Sequence, residues 1–205
     1  MTRGKFITLE GSEGVGKSSN IQFIANTLKA LGIAVVTTRE PGGTPIAEEI
    51  RQILLTEYEE PTLPETELLL LYAGRKQHVE HLIKPALALG KWVVCDRFFD
   101  ATFAYQGAGR NIAIEKIEQL NQWALGEFSP DLTILLDAPV DIAFERIKHE
   151  RKLDRFEKEK KEFFEKIRMQ YLRIAQKNPH RYHVVDAAKT LVEVQTEIKK
   201  CLDNI

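Results

Sequence analysis

The sequence predicts a three-layer α/β fold: a five-stranded parallel sheet flanked by helices. Two patterns carry that reading. Five short apolar runs, at 6–9, 33–38, 92–95, 132–136 and 183–185, are rich in Val, Ile and Leu, the composition of strands buried on both faces. Segments with helical spacing lie near 17–31, 46–55, 65–89, 114–125, 140–148, 157–177 and 190–202. Strands alternating with helices argue for parallel strands joined by crossovers. Each element has local support. Ile21, Ile24, Leu28 and Leu31 give the first helix one apolar stripe. Gly32 and Gly90 stand just before two strands, where a helix C-cap belongs.

Bulk properties narrow the function classes. A chain of 205 residues suits one α/β domain, and neither an internal repeat nor a linker-like segment divides it. A single domain over 1–205 is expected, with a small lid segment near 146–157. With 43% hydrophobic and 29% charged residues, the chain reads as a globular protein. A formal net charge of -1 gives no general pull toward nucleic acid or an anionic membrane, so neither is expected as a partner. The 2 cysteines, Cys95 and Cys201, are too few for a disulfide framework and suggest a reducing compartment. Met-Thr-Arg-Gly-Lys runs directly into the first strand, and no segment approaches 18 apolar residues. A cytoplasmic location is expected.

The most specific signal follows the first strand. Residues 11–18, Gly-Ser-Glu-Gly-Val-Gly-Lys-Ser, fill the P-loop pattern G-x-x-x-x-G-K-[ST]. The glycines let the backbone curl until several N–H groups face one anion. Lys17 can reach the β- and γ-phosphates of a nucleoside triphosphate, and the Ser18 hydroxyl can bind Mg²⁺. A helix opening at Lys17 turns its positive end toward the phosphate. The fold is therefore expected to be of the P-loop NTPase type.

Four further clusters lie where a parallel sheet gathers ligands, beyond its carboxyl edge. Asp96-Arg97 closes the third strand: the carboxylate suits a hydrated Mg²⁺ and the guanidinium clamps phosphate. Thr38-Arg39-Glu40-Pro41-Gly42-Gly43-Thr44 follows the second strand and offers Arg39 to a second anion. Arg75 lies one turn beyond Leu71 on an apolar helix face, so it needs either a ligand oxygen or a structural carboxylate. Thr102, Tyr105 and Gln106 share a side at helical spacing and offer a hydroxyl, a ring and an amide.

Taken in order, the glycine loop, Thr38-Arg-Glu-Pro-Gly-Gly-Thr44, Tyr72-Ala-Gly-Arg75, Asp96-Arg97, Ala104-Tyr-Gln-Gly107 and Leu153-Asp-Arg155 resemble the bacterial thymidylate kinases, over almost the whole chain. The resemblance implies transfer of the ATP γ-phosphoryl group to dTMP with Mg²⁺, and a homodimer. It places ATP against Gly11, Ser12, Glu13, Gly14, Val15, Gly16, Lys17, Ser18 and Ser19, with adenine near Asp186 and Ala187. Ser18 and Asp96 would serve the metal. The acceptor would meet Glu13, Arg39, Glu40, Pro41, Leu71, Arg75, Arg97, Thr102, Tyr105 and Gln106. Arg75 would donate to a thymine carbonyl, and Tyr105 would crowd the ribose 2′ position.

Phosphoryl transfer asks mainly for positioning and charge neutralisation. The variable loop positions Ser12, Glu13, Gly14 and Val15 carry no cation, so the charge is expected from the lid. Residues 145–181 hold 13 Lys or Arg against 7 Asp or Glu. Arg146, Arg151 and Arg155 join Lys17 and Arg97 as candidate catalytic residues. The chain departs from the commoner family pattern at Leu71, where Phe is usual, at Ala101, where Ser is common, and at Glu150-Arg151, where the lid Arg is shifted by one. Two alternatives stay open: another P-loop nucleoside or nucleotide kinase with altered base preference, and an ATP-driven switch or nucleic-acid-binding ATPase using the basic region.

Overall fold

The computed structural model describes residues 3–147 and 159–203. Five parallel strands, β1 (Phe6–Glu10), β2 (Val35–Arg39), β3 (Trp92–Asp96), β4 (Leu132–Asp137) and β5 (Tyr182–Asp186), form one sheet in the order β2-β3-β1-β4-β5. The helices are α1 (Lys17–Ala30), α2 (Pro45–Leu55), α3 (Pro64–His78), α4 (Lys84–Ala88), α5 (Phe99–Thr102), α6 (Ile114–Leu125), α7 (Val140–Ile147), α8 (Lys161–Lys177) and α9 (Leu191–Leu202). The predicted three-layer α/β architecture is the one observed.

Alternation along the strands builds the layers. Ile7 and Leu9 of β1 pack with Ile24 and Leu28 of α1 and with Val194 and Ile198 of α9. Phe6 turns to the other face, among Leu68, Val79, Ile83, Phe98 and Ile117. Beside that second layer, Tyr105 and Leu135 meet Phe164, Ile167 and Tyr171 of α8. Polar residues inside the sheet are matched: the Thr8 and Thr133 hydroxyls lie 2.8 Å apart on paired strands.

Several boundaries differ from the sequence reading; among them, the helix expected from residue 157 begins at Lys161. Strand β2 begins at Val35 rather than at residue 33, because the Ile33 N–H bonds the Leu28 carbonyl at 3.1 Å and so completes the end of α1. The single helix expected over 65–89 is α3 and α4 separated by a π-helical turn, Val79–Ile83. Pro85 explains it: it has no N–H, and its ring crowds the carbonyl four residues back. The helical spacing of Thr102, Tyr105 and Gln106 is realised in α5 and the π-helical turn Phe103–Gly109, an element the reading had not delimited. Most of the expected lid, 148–157, lies outside the described residues. Among the described residues no helix is long and apolar enough to cross a membrane.

All five strands end in a charged residue at one edge of the sheet: Glu10, Arg39, Asp96, Asp137 and Asp186. In register, Leu9 and Arg39 flank Asp96, and Asp137 stands beside Asp186. The site is built on this edge.

Candidate active site

The glycine loop leaves β1 at Gly11. There φ is 138°, and a Cβ would stand 2.5 Å from the Leu136 carbonyl oxygen, so only glycine fits. Helix α1 opens from Gly16 with no side-chain cap and no acid in its first turn, which leaves its leading amides for an anion. Lys17 is buried and Nζ donates to the Gly11 and Ser12 carbonyls at 3.1 and 2.6 Å. Burial, followed by the charge of Arg97, lowers its pKa to about 8. Ser18 and Ser19 are exposed on the first turn, whereas Ser12 and Val15 are buried.

An open cleft of about 620 Å³, counting the solvent at its mouth, adjoins this loop. Of the residues expected to meet the acceptor, Glu13, Glu40, Pro41, Leu71, Arg75, Arg97, Thr102, Tyr105 and Gln106 line it. Arg97 is the hinge between the loop and the cleft. Its backbone takes φ 63°, uncommon for a side-chain-bearing residue, and its N–H bonds the Leu9 carbonyl at 3.0 Å. One Nη2 serves Glu13 at 2.8 Å and the Tyr105 hydroxyl at 3.2 Å, and that hydroxyl donates to Glu13 at 2.6 Å. Burial works against the Arg97 charge, but Tyr105, Glu13 and Asp96 outweigh it and hold the pKa well up.

Behind Arg97, Glu10 anchors the segment. Its carboxyl accepts the Phe98 N–H at 2.7 Å and the Tyr171 hydroxyl at 2.8 Å. Burial, then Asp100, raises its pKa to about 8. At the far wall, Arg75 is buried, with Nε on Glu40 at 2.6 Å, Nη1 on Thr102 at 3.0 Å and Nη2 on the Phe98 carbonyl at 3.3 Å. The structural carboxylate and the cleft are therefore both present for this residue.

Some expected roles change in detail. Arg39 does not line the cleft; half-exposed, it pairs with Glu48 at 2.8 Å. The Gln106 amide nitrogen is held by buried Glu67 at 2.6 Å, so that nitrogen is engaged with the protein while the residue lines the cleft. The Arg146 guanidinium donates to the Ala187 carbonyl at 2.8 Å, beside the end of β5. Ala187 is buried and Asp186 exposed. Arg151 and Arg155 lie outside the described residues.

Glu10, Arg51, Glu67, His78 and Phe98 belong to the site and were not singled out in the sequence. One signal was available: Glu10 is an acid at the end of an otherwise apolar buried strand. Arg51 lines the cleft with Leu55, and its Nη1 bonds the Pro41 carbonyl at 2.9 Å.

The residues present suit a metal with few protein ligands. Asp96 Oδ1 is buried without a hydrogen-bond partner among the described residues, and the Ser18 hydroxyl is open. No cluster of three or more His, Cys, Asp or Glu among the described residues could form a cage. Mg²⁺ bound through one or two side chains, phosphates and water fits that set.

Comparison with known proteins agrees with the geometry. A family profile described as Thymidylate kinase matches residues 9–198. Thymidylate kinase of Ectopseudomonas mendocina is 51% identical over 202 residues, which span 98% of this chain and 96% of that protein. The enzyme of Teredinibacter turnerae is 49% identical over 200 residues, 98% of each chain. The crystal structure of thymidylate kinase from Ehrlichia chaffeensis superposes with a TM-score of 0.80 at 35% identity, covering 98% of this chain and 99% of that one. The chain belongs to the thymidylate kinase family.

Proposed function

We propose that the chain transfers the γ-phosphoryl group of ATP to dTMP, giving dTDP and ADP. One observation carries this reading: Arg97 and Tyr105 join Glu13 of the glycine loop directly to the cleft that Arg75 closes. A donor on the loop and an acceptor in the cleft then meet across Arg97.

The chemistry follows from the side chains. The α1 amides and Lys17 receive the donor phosphates, Lys17 exchanging the Gly11 and Ser12 carbonyls for phosphate oxygens. Arg97 draws in the acceptor phosphate, with Arg39 as a second cation at the same sheet edge. Arg75 and Gln106 address the base, Leu71 packs on it, and Tyr105 fills the space beside the sugar. Mg²⁺, held by Ser18 and through water by Asp96, would neutralise phosphate charge when bound. The acceptor oxygen is already anionic, so no strong general base is needed. Arg151 and Arg155, with Arg146 at the base of the lid, supply the cation that the glycine loop lacks; a cis-acting Arg contributes about 10³–10⁵ in related reactions. The lid, near 146–157, belongs to the same single domain. The protein is proposed to act in the cytoplasm as a homodimer, with Leu69 of α3, 59% exposed, as a contact candidate. Sedimentation at micromolar concentration checks the dimer.

A coupled assay of ADP release with ATP·Mg²⁺ and a panel of dTMP, dUMP, dCMP and thymidine tests the reaction. The expected result is a clear preference for dTMP. Preference for a nucleoside, or ATP turnover that responds to none of the panel, would overturn the assignment.

A further inference from the structure

Arg75 does not hold its place alone. Its carboxylate partner, Glu40, is itself bound on the far side by His78, whose Nδ1 lies 3.0 Å from Glu40 Oε1. The other ring nitrogen, Nε2, lies 2.8 Å from the Thr38 hydroxyl. All three members of the Arg75–Glu40–His78 relay are buried, His78 completely. A carboxylate only accepts, so Nδ1 carries the proton that faces it. The backbone is fitted to this ring: a Cβ on Gly43, where φ is 91°, would stand 2.4 Å from His78 Nε2 and 2.7 Å from Thr38 Oγ1. His78 thus locks the turn after β2 and the carboxylate that aims Arg75 in one piece.

We infer that His78, acting through Glu40, is a positioning residue that sets the orientation of Arg75 and with it the choice of base. The inference rests on the proposed reaction, in which Arg75 meets the base. The bonds to Glu40, Thr102 and Phe98 do not exhaust the five N–H groups of the guanidinium, and the side chain borders the cleft. A donor-only group fixed there accepts a base carrying a carbonyl at that edge and rejects one carrying an amino group, because two donors would then face each other. A guanidinium free to swing loses that discrimination. Glu40 lines the cleft and also backs Arg75, one oxygen bonded to Arg75 and the other to His78.

Two near-isosteres separate positioning from bulk. In His78→Asn the amide nitrogen falls near Nδ1 and keeps the bond to Glu40. In His78→Gln it falls near Nε2 and keeps only Thr38. Steady-state kinetics with ATP·Mg²⁺ would be measured for both, with dTMP and with dCMP, alongside isothermal titration of dTMP. His78→Gln is expected to raise the dTMP KM and Kd by about tenfold and to lower the dTMP/dCMP ratio of kcat/KM by a similar factor, with the ATP KM unchanged. His78→Asn is expected to stay within about threefold of the parent. Equal behaviour of the two variants, whether both silent or both impaired, would overturn the inference, as would a loss shared equally by ATP and dTMP. Should His78→Gln fail to fold, Glu40→Gln with an intact His78 gives the same reading, and an unchanged dTMP/dCMP ratio in it counts against the relay. A parent enzyme without preference for dTMP would instead defeat the proposed reaction.

Discussion

The donor loop and the acceptor cleft hold their cations in opposite ways. In the cleft buried Arg75 is tied to Glu40, and part-buried Arg97 to Glu13. On the loop, Lys17 is buried against the backbone carbonyls of Gly11 and Ser12. The cleft is thus assembled in advance by side chains that would be costly to separate, because an unpaired buried charge is strongly unfavourable. The loop keeps its cation on weak neutral partners that phosphate oxygens displace. Substitutions in the cleft should therefore cost folding stability, and substitutions on the loop should cost rate.

The sharpest break comes from Lys17→Ala, expected to lower kcat by about 10²–10³ while Tm and dTMP binding stay near those of the parent. A large fall in Tm would show that the loop is as structural as the cleft. Arg75→Ala should reverse the pattern. It strands Glu40 in the interior with one partner fewer and should lower stability by about 3 kcal/mol, or Tm by about 6–12 °C in a thermal melt, with ATP affinity unchanged. The depressed pKa of Lys17 sharpens the comparison through pH. In the free enzyme the ammonium is lost above about 8, so kcat/KM for ATP should fall by about tenfold per pH unit beyond that point. With ATP bound, the phosphates favour the charged form, so kcat should stay level to higher pH; parallel declines in both parameters would contradict this.

Glu10 tests the acceptor side through pH alone. Burial, then Asp100, raises its pKa from 4.5 to about 8, so between those values the folded state holds a proton that the unfolded chain has lost. The associated stability is complete below about 4.5 and disappears as pH rises through about 8. Glu10→Gln, which cannot ionise, should narrow the Tm difference between pH 5 and pH 8.5. No narrowing would mean that Glu10 does not titrate in this window.

The layers and the loop were legible in the sequence because period and spacing encode them. Residues such as Ile7 and Leu9 declare buried strands, and the loop pattern specifies backbone geometry directly. The cleft was legible as a set of motifs, yet its wiring was not. The partner of Arg75 is 35 residues away in sequence, that of Gln106 is 39 away, and that of Glu10 on α8 is 161 away. Nothing local marks such pairs. The helical stretch carrying Thr102 to Gln106 escaped as an element because α5 is only 4 residues long and its continuation contains Gly107 and Gly109. Arg39 illustrates the converse: its motif suggested a phosphate grip, and the structure shows the pairing with Glu48 from which a ligand would have to recruit it.

Glu10 and Gly11 are neighbours in the chain. One fastens the acceptor wall through Phe98, and the other begins the donor loop. In the proposed reaction, a single peptide bond at the tip of the central strand therefore joins the donor side to the acceptor side. The gap the proposed transfer must cross would then inherit the rigidity of the paired central strands rather than that of the loops around it.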